Sequence, residues 1–190
     1  MGSLIERARW ISAASLALVL VHGGPSLAAQ SATSWIAGGG LSLPAGEFNS
    51  YANTGWSLTG AVERQLGAHP TGLRLGVGYA VNNDVTAIGF HETTQLSSVF
   101  GSVVYHFVGA HPHIYAMIGA GVFHRSFSSD DPDDIPIADN RFAVQIGEGV
   151  QFRIRSVRVF VEGKFITTLG PGPFQYFPLI AGIRFGGGDS

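Results

Sequence analysis

From Thr71 to Val81 the chain alternates without a break: Leu73, Leu75, Val77, Tyr79 and Val81 are interleaved with Arg74, Gly76, Gly78 and Ala80. An extended strand sends successive side chains to opposite faces, whereas a helix repeats near 3.6 residues. A period of two therefore specifies a strand with one apolar face and one small or charged face. The pattern recurs and predicts eight strands, at 34–43, 55–66, 71–81, 94–107, 113–127, 141–154, 157–169 and 176–185. In the last of them Phe177, Leu179, Ala181, Ile183 and Phe185 share a face opposite Tyr176, Pro178, Ile180, Gly182 and Arg184. Only the fifth leaves its facing open, because Ile114, Ala116, Ile118, Ala120 and Val122 oppose the equally apolar Tyr115, Met117, Gly119, Gly121 and Phe123.

The connections alternate too. Gly67-Ala68-His69-Pro70, Gly109-Ala110-His111-Pro112 and Arg155-Ser156 are short, while Pro44–Thr54, Asn82–Thr93, Ser128–Asn140 and Gly170–Gln175 are longer. An even-stranded antiparallel meander with tight turns at one end and loops at the other matches a membrane-spanning β-barrel. The repeated Gly-Ala-His-Pro marks recurring turn chemistry, and His69 and His111 are not read as a site.

Two barrels fit such strands. A soluble ligand-binding barrel of the lipocalin kind turns its apolar faces inward, and a membrane barrel turns them toward lipid. The charges favour the second arrangement. Glu63, Arg74, Arg153, Arg158, Glu162, Lys164 and Arg184 all fall opposite the apolar stripes, and Trp35, Trp56, Tyr79, Tyr105, Phe107 and Phe185 stand toward the stripe ends. Charged residues make up 13% of the chain, about half the usual share of ~25%, and glycine, at 27 of 190, is about twice as common as usual. An eight-stranded lumen is narrow enough for side chains to fill. The seven inward charges are accordingly expected to form a buried ion-pair network and to leave no wide pore. Glu148 breaks the pattern, standing in the outward register between Ile146 and Val150; the flanking Gly147 and Gly149 predict a bulge that turns it inward.

With its eight alternating strands, its glycine-dotted runs such as Gly76-Val77-Gly78-Tyr79 and its terminal Phe177-to-Phe185 segment, the chain resembles the small OmpA/OmpX-type outer-membrane β-barrels over residues 30–186. The resemblance implies an all-β fold, a single eight-stranded antiparallel up-and-down barrel in the bacterial outer membrane. It also implies that Tyr176, Phe177, Leu179, Ile183 and Phe185 form the closing strand read by the outer-membrane insertion machinery. Family members usually end on the aromatic itself, whereas here Phe185 is followed by Gly186-Gly187-Gly188-Asp189-Ser190.

Residues 1–29 read as a secretory signal peptide ahead of a barrel domain at 30–190. Arg7 and Arg9 precede the apolar run Ile11–Val21, and Ser26-Leu27-Ala28 supplies small residues for cleavage near Ala28 or Ala29. That run falls short of the ~20 residues of a spanning helix. An exported chain without cysteine has no disulfide framework. A formal charge of −2 gives no basic face for nucleic acid. The expected surroundings are outer-membrane lipid and the insertion machinery, with the chain monomeric, no cofactor, and an unspecified partner at the loops.

Catalytic and metal signals are sparse. His124-Arg125-Ser126 puts a histidine and a serine two apart, as a lipid-modifying barrel enzyme would, but no acid is placed with them. Asp130, Asp131, Asp133 and Asp134 could offer oxygens to calcium, yet their spacing is not that of a calcium-binding loop. The sequence thus predicts a non-enzymatic barrel with a structural or surface-interaction role. A lipid-modifying barrel enzyme and a soluble ligand-binding barrel remain as alternatives.

Overall fold

The computed structural model describes residues 33–50, 52–83, 92–109, 112–129, 137–155 and 157–186. They form strands β1 (Thr33–Ala45), β2 (Gly55–Gln65), β3 (Thr71–Asn83), β4 (Glu92–His106), β5 (His113–Ser129), β6 (Ile137–Ile154), β7 (Val157–Thr168) and β8 (Gln175–Gly186). Each pairs antiparallel with the next, and β1 closes on β8 from Ser34 opposite Gly186 to Ala45 opposite Gln175. The result is one closed barrel. The proposed leader, the aspartate cluster at 130–134 and His111 lie outside the described residues.

The turn chemistry is visible at the short connections. Gly67 and Gly109, the first residues of the two Gly-Ala-His-Pro stretches, adopt φ of 63° and 80°, where a side chain would be strained. Arg155 occupies the same region at φ 56° with no such exemption. The first long connection is more ordered than alternation predicts. Gly46–Ser50 makes a single 3-10 turn that buries Phe48 over the barrel mouth.

The strands present their apolar faces outward. Leu73, Leu75, Val77, Ile146, Leu179 and Ile183 are all exposed, and β5 resolves its ambiguity the same way: Ile118 is 64% exposed and Tyr115 2%. The larger ring goes inside because it can reach a polar partner there, which isoleucine cannot use. Exposed aromatics gather in two rims. Trp35, Tyr105, Phe107, Phe152 and Phe185 stand at the turn end, and Trp56, Tyr79, Phe142 and Phe177 at the loop end. From Trp35 to Leu43, β1 climbs about 20 Å along the barrel axis at ~3.3 Å per residue and a tilt of ~40°. That height is close to the apolar band of a spanning barrel.

Three expectations need correcting. No bulge turns Glu148 inward: it pairs in unbroken register with Ala116 on β5 and Gly163 on β7 and is exposed among apolar neighbours. A regular ladder satisfies the backbone, and the flanking glycines serve other ends. Gly149, for one, gives room to the Tyr115 ring, which an added Cβ would overlap. Second, β5 and β6 run past their predicted ends at Phe127 and Arg141. Cross-strand pairs such as Arg125 with Asp139, at 3.3 Å, sustain a polar hairpin that apolar alternation does not report. Third, the pairing of β7 with β8 is interrupted where Lys164 and Phe165 meet Phe177 and Pro178, since Pro178 has no N–H to give. The register is the same on both sides of the gap.

Candidate functional site

The chemistry of this chain is concentrated inside the barrel, in two layers. At the loop end Phe48, Phe123, Phe174 and Tyr176 pack ring against ring, with Phe48 and Phe174 centroids 4.0 Å apart and Phe123 and Tyr176 5.7 Å apart. Phe48 and Phe174 come from connections, so the first and last loops fold into the mouth and plug it. Arg125 lies over the Phe174 ring at 5.6 Å. Arg141 fixes the last loop by donating from Nη1 to the carbonyls of Pro171 and Gly172 at 2.9 and 2.7 Å, while its Nε donates to Asp139 at 2.7 Å.

Below the plug lies an ionic layer. Glu63, 1% exposed, accepts from Arg74 Nε at 2.9 Å and Nη2 at 2.8 Å on one carboxylate oxygen. Its other oxygen meets His106 Nε2 at 2.8 Å and Arg184 Nη2. Arg74 Nη1 reaches across to Glu162 at 2.5 Å, and the Tyr115 hydroxyl donates to the same Glu162 oxygen at 2.9 Å. Lys164 Nζ takes the second Glu162 oxygen at 3.1 Å. Gln145 Nε2 donates to Ser102 Oγ at 2.7 Å nearby. Between the layers remains a cavity of about 30 Å³, lined by Ser57, Gly78, Ser98, Gln145 and Glu162 among others. That is room for a water or two.

Of the seven inward charges expected from sequence, the structure joins Glu63, Arg74, Glu162, Lys164 and Arg184 in this layer. Arg153 requires correction. It keeps the inward parity but lies beyond Gln151 at the open end of the β6–β7 hairpin, exposed, with its Nε directed to the Arg155 carbonyl at 3.4 Å. Arg158 is half-buried one strand over, beside Arg184 in the pairing. Parity alone cannot say how far along the axis a residue sits. Two members escaped the sequence reading, His106 and Tyr115. Their signal was there: both share a face and a lateral row with polar partners, but an isolated histidine or tyrosine carries no spacing to betray it.

Neither the protein-family models nor the curated proteins include a match to this sequence. Solved structures do match. A major outer membrane protein from Thermus thermophilus superposes with a TM-score of 0.63 at 17% identity, covering 83% of this chain and 99% of that one. Neisserial surface protein A gives 0.51 at 16% identity, covering 81% and 94%. The attachment invasion locus protein Ail of Yersinia pestis, solved with the heparin analogue sucrose octasulfate, gives 0.50 at 14% identity, covering 82% and 97%. The fold is that of the small eight-stranded outer-membrane β-barrels.

In a small outer-membrane barrel of this build, the tight turns and the loops mark opposite ends, and each remaining candidate can be placed between them. Tyr176 faces inward and is buried in the plug, whereas Phe177, Leu179, Ile183 and Phe185 of β8 face outward. His124 and Ser126 sit on the polar β5–β6 hairpin above the loop-end rim. His124 Nδ1 is 2.8 Å from Asn140 Oδ1. Among the described residues of the hairpin the acid is Asp139, which is held by Arg125 and Arg141. Among the described residues no group of three histidine or acidic side chains is placed to hold a metal.

Proposed function

We propose that this chain is an integral outer-membrane β-barrel protein with a side-chain-filled lumen, non-enzymatic, serving a structural or surface-interaction role through its loop end. The observation that carries the reading is the inverted polarity of the barrel. Its exposed face is a belt of Leu, Val and Ile between two aromatic rims, and its interior holds Glu63, Arg74, Glu162, Lys164 and Arg184. Water would not tolerate such an exterior as a free surface, because apolar patches of this extent on soluble monomers are covered by something. Acyl chains of the outer membrane are the covering that suits a closed barrel, whose every strand is paired and presents no edge. The outward residues of β8, ending in Phe185, suit the signal taken by the insertion machinery.

The loop end supports the surface role. The β5–β6 hairpin carries its polar pairs past the Phe142 rim, and Arg141 ties it to the last loop, so a rigid platform is held clear of the bilayer. Cell fractionation, with gel mobility compared before and after boiling, tests the assignment. An outer-membrane fraction and a heat-modifiable band are expected. A soluble periplasmic protein whose mobility ignores heating would sink the reading.

A further inference from the structure

Glu148 is the one charged side chain that the described residues place on the outward face between the two aromatic rims. It lies four residues from Phe152 at the turn end and six from Phe142 at the loop end, about 10 and 15 Å along the barrel axis. Among the described residues it makes no hydrogen bond and no ion pair. Ionisable groups at such depth in a membrane are rare, and they turn to a partner rather than to lipid. A monomer, as expected from the sequence, leaves this one facing acyl chains.

Its neighbours differ in size along two directions. Along β6 the flanking outward residues are Ile146, 61% exposed, and Val150. Across the sheet they are Ala116 on β5 and Gly163 on β7. Ala116 leaves a hollow. Over Gly163 the tip of the Phe177 ring forms a flat apolar seat, 2.8 Å from where a Cβ would stand. The wall is thus ridged along the strand and low across it. Lateral rows climb toward the loop end from β4 to β8, from His106 beside its turn through Gly149 to Ile180 well inside β8. Strands of a spanning barrel tilt by ~40°, so two such walls related by a two-fold axis along the membrane normal cross at about 80°. The strand of one copy then runs along the lateral row of the other. With the axis at Glu148, Val150 of each copy enters the hollow at the partner's Ala116. Ile146 lies on the seat at the partner's Gly163, and the two Glu148 side chains meet.

We propose that this face of β5, β6 and β7 is the contact between two copies of the chain in the bilayer, joined by a hydrogen bond between their Glu148 carboxyls. Two carboxylates at that separation cannot both be ionised, so the pair holds a proton between them, one O–H donating to a charged oxygen. Such bonds are about twice as strong as neutral ones, and no water competes for them in hydrocarbon. A two-fold contact uses the same patch on both copies, so the assembly closes at two. This contact rests on the outer-membrane reading, because it needs two barrels held upright in one membrane. Diluted in lipid the copies part, and Glu148 is again an isolated acid.

The test uses the full chain refolded into phosphatidylcholine vesicles over a range of protein-to-lipid ratios, with insertion checked by the heat-modifiable band. The chain has no cysteine, so donor and acceptor dyes are placed through Val108→Cys at the exposed β4–β5 turn. Energy transfer that rises with protein density to a plateau is expected. Glu148→Leu should lower the association constant by about tenfold or more, the scale of one charge-assisted hydrogen bond. Glu148→Gln, whose amide still bonds across the axis, should lose less. Ala116→Leu fills the hollow and should weaken association with the carboxyl intact. Undyed Ala116→Cys and Val150→Cys copies, mixed and oxidised, should cross-link more than either alone and more than Leu75→Cys on the far wall. An inserted barrel without energy transfer overturns this contact alone, whereas a chain that never inserts overturns the outer-membrane reading with it. Equal transfer by Glu148→Leu, or equal cross-linking through Leu75→Cys, puts the contact on another wall and overturns it. Transfer that appears only with added magnesium overturns it too, since a bridging cation then joins the carboxylates.

Discussion

Arg74 on β3 and Glu162 on β7 stand four strands apart in an eight-stranded ring, on opposite walls, and their side chains meet at 2.5 Å. A lumen that one arginine and one glutamate can bridge has no room for a continuous water column. The same arginine holds Glu63, so a single side chain bonds two buried carboxylates at once. Replacing Arg74 by methionine should keep the volume and remove two hydrogen bonds from Glu63 and one from Glu162, leaving Arg184 and Lys164 as their remaining permanent cations. Removing one partner of a buried pair costs about 3–5 kcal/mol. Urea unfolding in detergent, followed by the mobility shift, should show a loss toward or below the lower end of that range, because each acid keeps one cation.

Conduction has two barriers in series, the aromatic plug at the loop end and the ionic layer beneath it. Purified protein in planar bilayers is expected to show no large, stable conductance. Phe174→Ala should leave it closed as well, because Arg74 still spans the lumen. Porin-like steps from the unaltered chain would contradict the filled interior.

Glu148 is an acid on the apolar belt, flanked on its own face by Ala116 and Gly163 and by no charged neighbour on either adjacent strand. Arginine or lysine at the midplane of such a belt costs about 2–4 kcal/mol and acids cost less. Glu148→Leu is therefore expected to stabilise the barrel in lipid vesicles by about 1 kcal/mol, read from the urea midpoint of folding. A shift in the opposite direction would show that the carboxylate has a favourable contact in the bilayer.

Arg155 holds φ at 56° in the two-residue turn between β6 and β7. A left-handed backbone costs a residue with a Cβ about 1–2 kcal/mol, and glycine is exempt. Arg155→Gly should raise the unfolding midpoint in detergent by an amount corresponding to about 1 kcal/mol, less the greater entropy of glycine when unfolded. An unchanged or lowered midpoint would mean that the arginine side chain contributes more at the rim than its backbone gives up.

Alternation made the architecture legible because a barrel wall has only two sides. Every second residue of β3 or β8 faces the same medium, so Leu73, Leu75 and Val77 announce their side without any tertiary knowledge. The network was readable in kind: Glu63, Arg74, Glu162, Lys164 and Arg184 could be assigned to the interior by parity. Depth was not readable. Arg153 has the same parity as Gln151 but sits one step beyond the last packed layer, and nothing in a period of two reports that step. Bulges were misjudged for a related reason. Gly147 and Gly149 look like permission to deform at Glu148, but Gly149 is small to admit the Tyr115 ring from the neighbouring strand. The plug was hidden as well. Phe48 and Phe174 lie in connections, where an apolar residue carries no periodic signature, and only closure of the ring shows that both fall over the same opening.

The pairing of β1 with β8 sets a constraint on biogenesis. The first strand's partner along one edge is the last strand of the ring to be synthesised, so no shorter fragment can close. Until residue 186 is in place, Ser34 to Ala45 must wait with its amides unmatched on that side, and hydrocarbon offers such an edge no relief. Folding of the ring is thus postponed until the whole run from Ser34 to Gly186 is present, and its final step joins the two ends of that run.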